Sequence, residues 1–280
     1  KIGPGAAVID LNTMKLVQKL QSPANRRFYG HGAFSADGET IYTTETYKGN
    51  KRGTIVERDA ISFDELGEFP SFGDSPHECQ LIDGGATLVV TNGGGNMNGS
   101  LPNISYIDVA SRQLMRQEKP TTSALNTGHF YTSDNNDLVV VSAPRDGNRI
   151  RLGGLSIQPS GKAMKTATSP KKVVSQMLGE SLSVAIHQSI ALVTHPDGNM
   201  ISFWDTTNRK FIKKLALELP RGVTLSNDGK YFIVSYGQMA SIVNISTKEL
   251  QLQNDSITDA TYLAGSHIYN WTKMVQELCS

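Results

Sequence analysis

A chain of 280 residues with 38% hydrophobic, 7% aromatic and 19% charged residues has an ordinary globular composition and enough length to bury a sizeable core, which excludes a largely disordered protein. Its 27 Lys and Arg against 26 Asp and Glu leave a net charge of +1, so there is no broad basic field for nucleic acid and no acidic one for cationic partners. No apolar run approaches the roughly 18 residues of a membrane-spanning helix.

Taken in order, the chain opens at Lys1 without a signal peptide, and it is read as a processed or N-terminally truncated product. Gly5 to Leu20, GAAVIDLNTMKLVQKL, reads as strand, polar turn and strand. The pattern that organises the rest begins at His31. In HGAFSADGETIYTTE, Ala33–Ser35 lead into Ala36-Asp37-Gly38-Glu39, and β-favouring Ile41–Thr44 follow, which is a β-hairpin.

The hairpin returns as HECQLIDGGATLVVTN from His77, HFYTSDNNDLVVVSA from His129, SVAIHQSIALVTH from Ser183 and GVTLSNDGKYFIVSY from Gly222, giving five in all. After each comes a strand–turn–strand half in which an apolar run ends at Asp or Asn. Asp59, Asp108, Asp205 and Asn244 share that place, where an Asx side chain accepts backbone N–H bonds and fixes the turn. The third half, GGLSIQPSGKAMK, is less regular. Near the end, Asp259 to Met274 reads as a hairpin with no second half. Cys79 and Cys279 are read as separate thiols, with a disulfide between them as the alternative.

Units of four short antiparallel strands repeating every 40 to 50 residues or so are β-propeller blades, and the fold class is all-β, one propeller domain over residues 1–280. No sustained 3.6-residue apolar period separates the strands, so alternating α/β is excluded. The two ends are complementary. They either close one blade of a six-bladed ring or belong to different blades of a seven-bladed one.

The runs YGHGAFSADGETIYTTE, GEFPSFGDSPHE, GGATLVVTNGG and ISFWDTTNRKF resemble a bacterial propeller family catalogued as a domain of unknown function (1513), within the YVTN and quinoprotein-amine-dehydrogenase-like group. The likeness spans nearly the whole chain. It implies export to the periplasm, one more N-terminal blade than is present here and hence seven in the intact protein, and an association with iron uptake. A monomer is expected.

In a propeller, residues just before and just after each hairpin share one face. His31 and His129 precede their hairpins at matching positions. His77 is one residue out of step, which the turn Asp83-Gly84-Gly85 or a bulge must absorb. After the hairpins, Glu45, Asn92 and His195 are equivalent, with Arg145 a residue or two beyond the matching place. Tyr29, Arg26 and Arg27 approach the same face, fed by the long loops Thr46–Gly53 and Gly93–Pro102.

These residues form the candidate ligand site. His31, His77 and His129 are candidate ligands for iron, copper or zinc, because neutral imidazole suits those metals. Inter-blade hydrogen bonding is the structural alternative. His187 and His267 are read as surface residues.

Other motifs carry less. Gly93-Gly94-Gly95-Asn96 follows a strand but opens no helix, so it is read as a flexible loop and not a phosphate cradle. Trp204-Asp205 is a strand end with its turn, and Ser169-Pro170-Lys171-Lys172 a basic linker. No G-x-S-x-G elbow or Cys–His pair supports nucleophilic catalysis. Two function classes follow. One is a binding propeller for a small molecule, a metal or a periplasmic protein. The other is a metal-dependent enzyme of lactonase or quinoprotein-dehydrogenase kind, in which His31, His77, His129 and Glu45 hold a Lewis-acid metal.

Overall fold

The computed structural model describes residues 3, 5–239, 241–253 and 267–270. Cys279 and most of the hairpin expected over 259–274 lie outside the described residues.

All five expected hairpins form, and the first four are followed by their strand–turn–strand halves. One four-stranded antiparallel sheet comprises β3 (Arg26–Phe34), β4 (Thr40–Tyr47), β5 (Arg52–Asp59) and β6 (Glu65–Asp74), in sequence order. The next comprises β7 (Pro76–Ile82), β8 (Thr87–Asn92), β9 (Asn103–Asp108) and β10 (Leu114–Glu118). The third comprises β11 (Phe130–Thr132), β12 (Leu138–Ser142), β13 (Gly154–Gln158) and β14 (Lys165–Thr166). The fourth comprises β15 (Val184–His187), β16 (Ile190–His195), β17 (Met200–Asp205) and β18 (Lys210–Ala216). The fifth holds β19 (Val223–Leu225), β20 (Tyr231–Tyr236) and β21 (Ser241–Ser246), with a bridge from Ile245 to Leu252 where a fourth strand would begin. Before them, β1 (Gly5–Asp10) and β2 (Lys15–Gln21) form a two-stranded sheet. The residues read as a basic linker enter a single helical turn, α1 (Lys171–Val174), which buries Val173.

Local chemistry explains the turns. Ser35 donates to Asp37 and Asp37 accepts the N–H of Glu39, and Ser226, Asp228 and Lys230 repeat this arrangement. Asp59, Asp108 and Asp205 accept backbone N–H groups two or three residues on, as expected, and Asp10 does the same for Thr13. Those bonds hold the Asp10 and Asp59 carboxyls below their ordinary range.

Asn244 departs from its expected role. Tyr231 pairs with Ser246 just as Ile190 pairs with Asp205, so Ser246 holds the turn position and accepts from Lys248 and Glu249. Val243 and Ile245 are both buried, and strand alternation therefore keeps Asn244 within the ladder on the opposite face.

The described residues group into two compact units. One contains the chain up to Gly128 with Arg145–Gly147, the other His129–Pro144 and the chain from Asn148 on. In the first, Tyr42, Ile55 and Phe69 of the β3–β6 sheet pack on Cys79, Leu88, Val90 and Ile107 of the β7–β10 sheet. In the second, one core joins Val139, Leu155 and Ile157 to Val184, Ile186 and Trp204, and another joins Leu192, Ile201 and Phe203 to Phe232, Val234 and Val243. Each such side chain contributes about 1.5–3 kcal/mol by leaving water, and these face-to-face contacts hold neighbouring sheets together. The middle strands β8, β12, β13 and β17 are buried almost throughout, whereas β18 alternates between half-buried and exposed, as a fourth strand facing solvent should.

Candidate functional site

The strand entrances are irregular where the histidines sit. The β3–β4 ladder passes from Phe28 opposite Glu45 to Gly32 opposite Thr43, leaving Tyr29, Gly30 and His31 to face Thr44. In β7, Pro76 faces Asn92 and Glu78 faces Thr91, so His77 is the extra residue of a bulge. The turn at Asp83–Gly85 is matched in length to the first hairpin's, since Ile82 pairs with Thr87 as Ser35 does with Thr40. The bulge alone therefore absorbs the additional residue, and Glu78 stands where His31 and His129 stand in their own sheets.

The imidazoles of His31 and His77 meet edge to face, ring centroids 5.5 Å apart. Gly30 permits this approach, because any side chain there would overlap the backbone of His77. Beside them the Arg27 guanidinium lies 5.5 Å from the centre of the Tyr29 ring. Glu78 is buried and accepts from Gln80 at 3.0 Å.

In the second unit, His129 is buried and its carbonyl accepts the N–H of Val141. Its ring lies 4.1 Å from that of His267, centroid to centroid. His267 is half-buried, contrary to its reading as a surface residue. The segment carrying it runs along β19, where a Cβ on Gly222 would come within 2.6 Å of the Ile268 nitrogen, and Asn270 donates to the Leu225 carbonyl at 2.9 Å. His267 thus stands to Gly222 much as His77 stands to Gly30.

The second-strand ends behave differently. Glu45, Asn92 and His195 end or nearly end their strands and are fully buried, where loop positions were expected. Glu45 accepts from Arg58 at 2.6 Å and pairs with Arg26 at 3.3 Å, and both arginines also engage Glu65. Burial works against the charge of Glu65, yet the hydrogen bond and charge of Arg26 hold its pKa below the ordinary carboxylate range.

Asn92 donates to the Ser71 carbonyl and to Asn103, each at 3.0 Å, and accepts from Ser71 at 2.7 Å. His195 bonds Ser181 through Nδ1 at 2.9 Å and Ser202 through Nε2 at 2.7 Å, while Trp204 donates to Ser202 at 2.8 Å. Burial lowers the His195 pKa from 6.5 to about 3, so it is neutral at physiological pH. The sequence signal for this chain is Ser202-x-Trp204 on one face of β17, read together with the histidine that ends β16.

Arg145 is buried and donates to the carbonyls of Gly94, Gly95, Asn96, Ser100 and Ser123. The N–H groups of Gly93 and Gly94 are bonded to Ser75 and Asp74. The Gly93–Asn96 stretch, expected to be flexible, is therefore part of a structured cap wrapped on a guanidinium, and it turns carbonyls inward where a phosphate cradle needs N–H groups. Cys79 is a buried free thiol whose pKa burial pushes far up, the opposite of a nucleophile's requirement.

Antiparallel sheets whose strands follow in sequence order, four of them a hairpin with its strand–turn–strand half, define the chain as a β-propeller. Solved structures agree at 12% identity each: a chain of the mitotic checkpoint complex (TM-score 0.69, 94% of this chain and 74% of that one), a functionally unknown protein from Desulfotomaculum acetoxidans (0.62, 89% and 75%) and Kuenenia stuttgartiensis hydrazine synthase (0.57, 88% and 90%). The chain belongs to the family described as protein of unknown function (DUF1513), which it matches over residues 3–264. Among curated proteins, no relative matches.

Proposed function

We propose that this protein is an exported propeller that binds a ligand at the entrances of its innermost strands and does not turn it over. The observation that carries the reading is the placing of His31 and His77 on bulged backbone with their rings 5.5 Å apart. Bulges re-aim side chains beside working sites. Neutral imidazole offers either a metal-binding lone pair or a donor and acceptor for a polar molecule.

The ligand is a small polar molecule, a transition-metal ion such as iron, copper or zinc, or another exported protein. Export and service to iron uptake come from the family resemblance and form part of the proposal. Binding is preferred to catalysis because Glu45, Asn92, His195 and Arg145 are engaged in holding strands and loops. A Lewis-acid site using Glu45 would first have to break its pairs with Arg26 and Arg58.

The test is a thermal-shift screen of metal ions and polar metabolites on the wild type and on a His31→Ala/His77→Ala variant. A true ligand raises the wild-type midpoint by about 3 °C or more and leaves the variant where it was. A screen in which every active ligand shifts both proteins equally sinks the reading.

A further inference from the structure

We propose that His129 and His267 form a transition-metal site that takes a borderline divalent ion such as zinc or copper(II). The inference rests on the reading of strand-entrance histidines as ligand groups and deepens it by naming a second site and its ligand class. The two rings are 4.1 Å apart between centroids, and ligand nitrogens of the two residues lie within 4.8 Å of each other. Two nitrogens bound to a tetrahedral ion at about 2.0–2.1 Å stand roughly 3.3 Å apart, so a small rotation of the side chains brings both onto one metal.

The backbone already fixes both residues. The His129 carbonyl is hydrogen-bonded into the sheet, and the segment of His267 is seated against Gly222 and tied by Asn270 to β19. Preorganisation of this kind removes much of the ordering cost of chelation. Neutral imidazole suits zinc, copper, nickel and iron, and two such ligands leave further positions for water or an incoming ligand. Tyr269, whose ring centre lies 6.5 Å from that of His267, is half-exposed.

The experiment uses the full chain, stripped with a chelator and titrated calorimetrically with zinc, and with cobalt(II) as a spectroscopic reporter of nitrogen ligation. His129→Gln and His267→Gln are run beside the wild type and the His31→Ala/His77→Ala variant. The expected result is one ion per chain at this site, with affinity falling roughly tenfold or more in each glutamine variant.

As a check independent of variant folding, zinc should protect His129 and His267 of the wild type from acylation by diethyl pyrocarbonate, read by mass spectrometry. Binding that survives in both glutamine variants, with no protection of these two residues, overturns the inference. If binding is then lost in the His31/His77 variant, the broader reading stands without this one. Failure of every metal to bind also overturns it, whatever the polar-molecule screen finds.

Discussion

The β3–β6 and β15–β18 sheets place different chemistry at one structural position. Glu45 and His195 are equivalent, both fully buried where the second strand meets the third. The first is the centre of an ion network with Arg26 and Arg58, and the second is one link in a neutral chain from Trp204 through Ser202 to Ser181. The β7–β10 sheet offers a third answer in Asn92. In these three sheets the position holds a fully buried polar group, and the side chain differs in each. The charged solution is the more exposed to damage, because losing one ion strands the others away from water.

The largest effect should come from Glu45→Ala, which leaves Arg26 and Arg58 without their buried counter-charge and should cost about 3–5 kcal/mol in urea unfolding. A loss below about 1 kcal/mol would place the network among exposed ion pairs and erase the contrast.

His195→Ala comes next, at about 2–4 kcal/mol above pH 7, from the cavity, from Ser181 losing its ring partner and from Ser202 keeping only the Trp204 bond of this chain. This position also carries a pH signature. The folded pKa of His195 is about 3 against 6.5 unfolded, so the unfolded state binds the extra proton between those values. Its contribution is full above 6.5 and declines as pH falls towards 3, by at most about 1.4 kcal/mol per unit. The wild type should show that slope and the alanine variant should lack it. Glu65 in the other sheet, its pKa lowered, acts in a more acidic window: its stabilisation is present above the ordinary carboxylate value and fades as pH falls through the lower folded one. Parallel slopes for wild type and His195→Ala would refute the neutral-histidine assignment.

Asn92→Ala, which removes a second neutral solution, should cost about 1–3 kcal/mol by thermal unfolding, below both in size. Smallest are the turns. Ser246→Ala and Asp108→Ala should each lose about 0.5–1.5 kcal/mol, while Asn244→Ala should lose less than either. A reversed order would restore Asn244 to the turn.

Much of this architecture is legible in the sequence because period-two alternation, repeated through five hairpins, and the Ser-x-Asp-Gly turns at Ser35 and Ser226 are local signals. The strand order and the Asx turns at Asp59, Asp108 and Asp205 follow from them. Asn244 misleads because its side chain resembles the turn residue, and the pairing of Tyr231 with Ser246 fixes the register. The offset of His77 is visible as an extra residue, yet its location in a bulge depends on the partner strand. The partners of Glu45 lie 13 and 19 residues away and the loop carbonyls bound by Arg145 about 50, and no local pattern marks them. His267 is missed because its role arises from packing against Gly222, far earlier in the chain.

The bulge at His77 has a consequence for how such a protein can change. Downstream of it, Cys79 to Ile82 keep their alignment with β8 regardless of how many residues precede them, since the surplus is discharged before the core begins. The entrance to β3 has the same construction around Tyr29–His31. Insertions and deletions, normally ruinous in a strand because they invert every following side chain, are confined here to one or two positions. A lineage can thereby exchange imidazole for carboxylate at the rim in one mutational step, and the hydrophobic interior inherits none of the shift.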